Sequence, residues 1–519
     1  MSSTDDDISD SSDGSASNDS IVELQGNPNH VGTVCEIRKF ESYWNKNGER
    51  VVLKAGTKLI RAKVKPASIT TKAALLSTRV WDRTQTEFYT ELEVQSPHMK
   101  AALKAVVPKY KDIDPKATNI VFRDTPKCVF HYRDELLGYR RRCSDQTASQ
   151  HVQYLLNYVD ELLLDEISIY NRYVKNCAHL GRPGIDYVNL WMVFVPGELL
   201  YGEFGQIFKF HELTGYACLK SRHPNCEWTI SGYIIATNGV ELGHKKTEFT
   251  IKRWDGIRAL DDLPLYPLRF CERRDEIRSE VLRRSKMFQS LIDSSEPNHH
   301  QYNNLAVLFG YDREPTADWE IGGFPCWTST INGRIIIDPK AFHDQRPSFA
   351  PCLSASQKKF NISEGDHKRM TEEELLICSK VIIGYSLSDK QWGIFEIDHI
   401  RDPEWNDIAF ESLILDPVNK EMILSLVRNH SAASAHKAWD FVEGKGGGIV
   451  FLLHGDPGLG KTLTAEGVAD YVRKPLLKLD SATLGVDSAT VEKRLKEVLA
   501  LATSWHAIVL LDEADIFLE

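Results

Sequence analysis

No stretch of this 519-residue chain approaches 18 consecutive apolar residues, so a helical membrane span is excluded. Positive charge is missing from the opening: residues 1–23 hold six Asp, Glu23 and no Lys or Arg. A secretory leader would need a basic start and an apolar middle, and a transit peptide would be Arg-rich and acid-poor. The opening has neither pattern. It is rich in Ser and Asp with almost nothing to bury, which predicts a disordered acidic tail over 1–30. That tail carries −7 of the net −10, leaving about −3 for the rest, and a near-neutral body argues against a dedicated nucleic-acid surface. Cysteine is sparse and without a framework: ten residues from Cys35 to Cys378, irregularly spaced. Reduced thiols in a soluble cytoplasmic or nuclear protein are the expectation. No internal repeat stands out. His211, Cys218, His223 and Cys226 have a spacing that fits no standard zinc site. No Ser/His/Asp or Cys/His arrangement stands in a recognisable local context, which leaves a second catalytic centre unsupported.

What the chain does contain is Gly455-Asp456-Pro457-Gly458-Leu459-Gly460-Lys461-Thr462. It follows Ile449-Val450-Phe451-Leu452-Leu453, a short apolar run that reads as a buried strand of a parallel sheet. It precedes 462–472, whose apolar spacing suits a helix. Strand, glycine loop and helix in that order form a phosphate-binding loop. The glycines let backbone N–H groups curl around an anion, and the helix N-terminus adds partial positive charge. Lys461 can reach the β- and γ-phosphates, and the Thr462 hydroxyl can ligate magnesium. Leu463, the next helical residue, is read with Gly455, Pro457, Gly458, Leu459, Gly460, Lys461 and Thr462 as part of the nucleotide-binding set. Pro475–Leu479 reads as the next strand, and Val491, Leu495, Val498, Leu499 and Ala502 share one helical face. Ala507–Leu511 is a third, wholly apolar strand. Asp512 at its carboxyl end would hold magnesium through water, and Glu513 would polarise an attacking water.

The segment GDPGLGKTLTAEGVADYVRKPLL…LLDEADIFLE resembles the core of an AAA-type ATPase, and more narrowly a group of fungal AAA proteins. Trp405–Phe410, Leu413–Leu415 and Phe441–Gly446 extend the likeness upstream. Leu190–Gly197, Leu265–Leu268, Gly333–Pro339 and Gly384–Leu387 resemble a large amino-terminal region of unknown function in that group. The resemblance implies ATP and Mg2+ as ligands, Asp407 and Ile408 near the adenine, a ring of like subunits and a protein client. It also implies a strand order of 5-1-4-3-2, then a sensor residue, arginine fingers and a helical lid, none of them found before Glu519. The expectation is that the chain is cut short after the Asp-Glu strand, or is a shortened regulatory form, and does not hydrolyse ATP efficiently alone. The family's pore loop carries an aromatic residue; the matching segment 481–487 has none, which puts threading of a client in doubt. The alternative is a non-catalytic scaffold or interaction protein with a vestigial core.

The expected fold class is α/β and multidomain: a mixed α+β amino-terminal region, then the first half of a doubly wound parallel sheet. The expected divisions are a tail (1–30), a mixed α+β region ending in a long helix (31–180), a strand-rich module (181–275), a helical and irregular connection (276–400) and the partial ATPase core (401–519). Within them, Val51–Leu53 and Phe88–Val94 read as strands and Met99–Val107 as a helix. Gln146–Asn176 reads as the longest helix, with Val152, Leu155, Leu156, Val159, Leu162 and Leu163 as its buried stripe. Strands are expected at 187–195, 205–210, 228–236 and 248–254, a charged helix at 275–291, and a polar hinge at 361–374. Arg140-Arg141-Arg142 reads as a solvated basic face.

Overall fold

In a computed structural model, the described residues are 31–44, 50–55, 71–108, 110, 113–178, 180–202, 205–215, 227–293, 298–310, 319–321, 324–433, 449–456, 458–479 and 488–514. The acidic tail, the 441–448 run, Pro457, the 481–487 loop and Cys218, His223 and Cys226 lie outside them. The chain packs into two units. One comprises Met1–Leu199, Phe210–Ser231 and Glu248–Phe270, and the other Leu200–Lys209, Gly232–Thr247 and Cys271–Glu519. Among the described residues no helix is long and apolar enough to cross a membrane.

The first unit begins with β1 (Val34–Trp44), β2 (Arg50–Lys54), β3 (Ala73–Trp81), β4 (Phe88–Val94), α1 (Pro97–Val106), β5 (Ile120–Arg123), α2 (Lys127–His131), α3 (Arg133–Arg142), α4 (Gln146–Leu162) and α5 (Leu164–Tyr170). The strands form one sheet in the order β2-β1-β3-β4-β5, with β1 parallel to β3 and the other neighbours antiparallel. Ser96 caps α1 by accepting from the Met99 N–H, and Pro97 presets its first turn. Asp145 caps α4 through Thr147. The long helix expected over 146–176 is interrupted at Leu163. Leu163 is buried with Val152, Leu155, Leu156 and Val159, while Leu162 turns outward, one residue and about 100° away. The basic triplet forms the last turn of α3, where positive charge complements the helix dipole.

The strand expected at 187–195 is a correction. Leu190–Met192 is a 3-10 turn, and Leu190, Trp191, Met192, Val193 and Phe194 are all buried. A run buried on every side carries no strand periodicity. Here the Asn189 side chain donates to the Asp186 carboxylate and closes the chain into a turn. Strands β6 (Gly184–Asp186), β7 (Leu199–Gly202), β8 (Ile207–Thr214), β9 (Glu227–Thr237), β10 (Glu241–Lys252), β11 (Ile257–Ala259) and β12 (Leu265–Pro267) occupy the strand-rich stretch. β6 pairs with β11.

The second unit continues with α6 (Arg274–Asp293), β13 (Asn298–Phe309), β14 (Trp319–Ile321), β15 (Phe324–Ile337), α7 (Pro339–Gln345), β16 (Lys359–Asn361), α8 (Glu372–Leu376), β17 (Val381–Ser386), β18 (Gln391–Glu396) and β19 (Ile400–Arg401). Where a helical and irregular connection was expected, the chain builds a six-stranded sheet. β13 and β15 pair antiparallel from Asn298↔Ile337 to Phe309↔Cys326. β15 also pairs with β17, β17 with β18, and β18 with β13, so four strands close on themselves. Gly384 and Gly393 face each other across β17–β18. A Cβ on Gly384 would stand 2.8 Å from the Ile336 carbonyl oxygen, and one on Gly393 2.8 Å from that of Val307. Only glycine admits this close crossing. The polar stretch 361–374, expected as a hinge, is ordered: Thr371 and Glu374 form a capping box for α8, and His367 is fully buried.

The chain ends in α9 (Asp407–Glu411), α10 (Pro417–Ala433), α11 (Lys461–Tyr471), β20 (Leu476–Leu479), α12 (Ser488–Ser504) and β21 (Ile508–Leu511). β20 and β21 pair in parallel, as their apolar content predicts. The expected strand at 449–453 is not formed. Among the described residues it has no ladder partner, and Val450 and Leu452 are 94% and 85% exposed. An apolar sequence makes a strand only where a neighbour takes its hydrogen bonds. Of the expected doubly wound sheet, one parallel pair is formed among the described residues. That pair and α12 share a hydrophobic core with the closed strands and α7: Leu477, Leu501, Ala502 and Trp505 pack with Ile336, Phe342, Tyr385 and Trp392. Trp505 is 1% exposed, and its Nε1 donates to Asp338 at 2.8 Å.

Candidate functional site

The loop at 455–460 turns on three glycines with positive φ: Gly455 (153°), Gly458 (83°) and Gly460 (80°). A side chain at any of them would strain the backbone. Gly460 caps α11, and its carbonyl accepts from the Thr464 N–H at 2.8 Å and the Thr464 hydroxyl at 2.9 Å. Lys461 is the first helical residue. Its ammonium bends back over the loop and donates to the Gly455 and Asp456 carbonyls at 2.8 Å each. Leu459 and Leu463 are exposed beside it.

Thr462 points the other way, toward the end of β21. Its hydroxyl lies 3.4 Å from both carboxylate oxygens of Asp512. Asp512 is fixed by its own N–H, which extends the β20–β21 ladder by donating to the Leu479 carbonyl at 3.0 Å. Glu513 follows, exposed, at φ 53°, a strained value for a residue with a Cβ. Loop, ammonium, hydroxyl and carboxylate thus meet at the head of α11. The hydroxyl and carboxylate are hard oxygen donors of the kind magnesium takes, and the ammonium and helix N-terminus suit polyphosphate. The residues present fit that pair of ligands.

Asp407 and Ile408 stand elsewhere. They open α9, which lies along α11, and Asp407 accepts from Arg473 at 2.7 Å, just past the far end of α11. Ile408 is 73% exposed. Gly467 permits the helix contact: a Cβ there would be 3.2 Å from the Phe410 backbone. Phe410 is buried against Tyr471, with ring centroids 5.0 Å apart.

A network missed by local sequence reading supports this end. Arg334, on β15, pairs with Asp470 of α11 and donates to the Glu404 carbonyl at 2.7 Å. Its guanidinium lies 4.7 Å from the Trp405 ring centroid, and Arg473 lies 5.5 Å from the same ring. His299 meets Trp405 edge-on at 5.1 Å. Burial, and then the Arg334 charge, push the His299 imidazole down to about 4, so it is neutral near pH 7. Sequence spacing carries no signal for Arg334, which lies 136 residues from Asp470.

Comparison with protein families gives two matches. Residues 177–272 match a domain of unknown function (DUF7025). Residues 451–519 match the ATPase family associated with various cellular activities (AAA). The second match supports an AAA-type ATPase. Comparison with curated proteins and with solved structures returned no match. The AAA match begins at Phe451 and takes in the glycine loop, Lys461, Thr462, Asp512 and Glu513. Nucleotide binding is what such a domain does in general, and the donor set at the head of α11 agrees with it. Among the described residues no group of three or more His, Cys, Asp or Glu side chains could hold a metal ion by itself.

Proposed function

We propose that this chain binds ATP with Mg2+ at the head of α11 and works as an AAA-type ATPase, in a ring of like subunits, to remodel a protein client. The carrying observation is the convergence of Lys461, Thr462 and Asp512 behind a three-glycine turn. In this reading Gly455, Pro457, Gly458, Leu459 and Gly460 wrap the phosphates. Lys461 leaves the loop carbonyls and neutralises the β- and γ-phosphates; Thr462 and Asp512 hold the metal. Bound Mg-ATP supplies the phosphoanhydride to be cleaved. Glu513, exposed beside Asp512, orients and deprotonates the attacking water. Leu463 and the Asp407–Ile408 segment line the base side.

The test is magnesium-dependent ATP binding by the full chain. Wild type is expected to bind, with Lys461→Ala weakening affinity about a hundredfold, the scale of losing a charge-assisted contact in a phosphate site. Equal affinity in wild type and Lys461→Ala would remove the loop from the function. No binding by wild type would favour a non-catalytic interaction protein.

A further inference from the structure

The closed strands of residues 298–396 would ordinarily be set apart from the nucleotide site, since nothing in them resembles phosphate-binding chemistry. Their contacts say otherwise. Arg334 reaches out of β15 and grips the chain segment leading into α9 at two points and α11 at a third. Its Nη2 donates to the Glu404 carbonyl, its guanidinium covers the Trp405 ring, and its Nη1 pairs with Asp470. Asp470 passes the constraint on: its second oxygen accepts from the Asn406 N–H at 3.2 Å. Asn406 in turn caps α9 by accepting from the Ala409 N–H at 3.2 Å. Three successive residues before Asp407 are therefore fixed directly or at one remove by Arg334. The ion pair is largely sheltered, with Arg334 and Asp470 side chains 22% and 15% exposed, so solvent screens it little.

We infer that Arg334 is a positioning residue for the base side of the nucleotide site, and that the closed strands form its rear support. This rests on the reading that Asp407 and Ile408 line that side. Arg334 touches no nucleotide. It sets where Asp407 and Ile408 emerge relative to α11, whose other end carries Lys461 and Thr462. Loss of Arg334 frees the 404–408 segment without disturbing the glycine loop, so recognition of the base suffers and recognition of the phosphates does not.

The experiment uses the full chain and two probes, Mg-ATP and inorganic tripolyphosphate with magnesium, which lacks the base. Arg334→Ala is expected to weaken ATP binding about tenfold, the scale of one charge-assisted hydrogen bond, and to leave tripolyphosphate within about twofold. Arg334→Lys keeps the charge but not the fork, and should fall between. Ile408→Ala should weaken ATP alone, and adding Arg334→Ala to it should give less than the sum of the two losses. Should Arg334→Ala fail to fold, Arg334→Lys carries the same comparison. Equal loss for both probes would make Arg334 a stabilising residue only and overturn the inference. Unchanged ATP affinity in both Arg334 variants, with Ile408→Ala still weakening it, would overturn the inference and leave the base-side reading standing. If neither position alters ATP affinity, the base-side reading falls and takes the inference with it. No ATP binding by wild type would remove the nucleotide reading and this inference together.

Discussion

Thr462 and Asp512 lie 50 residues apart in the chain, yet the hydroxyl stands 3.4 Å from each carboxylate oxygen. At that length the bond is weak. The two donors are held in place by α11 and by the β20–β21 ladder rather than by each other. Glu513 sits one residue beyond the ladder, where its backbone is strained and its side chain meets solvent. Such strain is common where a carboxylate must be presented to a reacting group. In an assembly that turns over ATP, Glu513→Gln should retain ATP binding and lower kcat by about a hundredfold or more, as expected when a general base is neutralised. Steady-state turnover beside equilibrium binding checks this, and unchanged turnover would remove Glu513 from the chemistry. These residues were legible in the sequence because short motifs set local geometry: a glycine at each positive φ of the loop, a lysine opening the helix, acids ending an apolar strand. Arg334, Asp470 and Arg473 were not. Their partners are supplied by long-range packing, which no local spacing encodes.

At the scale of elements, helices with caps and one buried face were readable, as were strands with paired neighbours. α1, α6, β4 and β9 fall where their patterns place them. The failures have separate causes. The 449–453 run has strand-like residues but no described neighbour to complete a ladder, and 190–194 is apolar in every position and so has no period to read. The closed strands were hidden by their own glycines and polar residues, since Gly384 and Gly393 look like turn signals until β17–β18 is seen crossing β13 and β15. Trp505 joins those strands to α12. Its ring lies 5.2 Å from Tyr385 and 5.9 Å from Trp392, and its N–H is satisfied by Asp338, which also caps α7. Trp505→Ala should therefore destabilise the second unit by about 3–5 kcal/mol, the usual range for a large aromatic lost from a core. A fall in the denaturant midpoint, read by tryptophan fluorescence, measures it. A loss below about 1 kcal/mol would show that α12 does not depend on this core.

Over the whole molecule, buried histidines link stability to acidity. His131 is bonded at both ring nitrogens: Nε2 donates to the Trp191 carbonyl and Nδ1 accepts from the Tyr110 hydroxyl, each at 2.9 Å. Burial pushes it down to about 3, and His299 down to about 4, both from 6.5. Each is neutral when folded and takes up a proton more readily when unfolded. Their contribution is fully present above about pH 6.5 and is lost as pH falls from there toward about 4 for His299 and about 3 for His131. Asp186 and Glu93, whose carboxyls burial pushes up, oppose this trend. Urea midpoints should drop between pH 7.5 and 5, and His299→Gln should make the decline shallower. A flat profile would mean that these imidazoles reach water in the folded state.

The closed strands come from two hairpin-like pieces of chain, 298–337 and 381–396, with some forty residues of helix, turn and short strand between them. The closure itself is made of backbone hydrogen bonds between those two pieces, while the connecting stretch adds Phe342 to their shared core. A protease cut at the exposed Cys352 region would sever the covalent thread and leave the interlocked pieces clasped. For this part of the protein, continuity of the chain and integrity of the fold are separable properties.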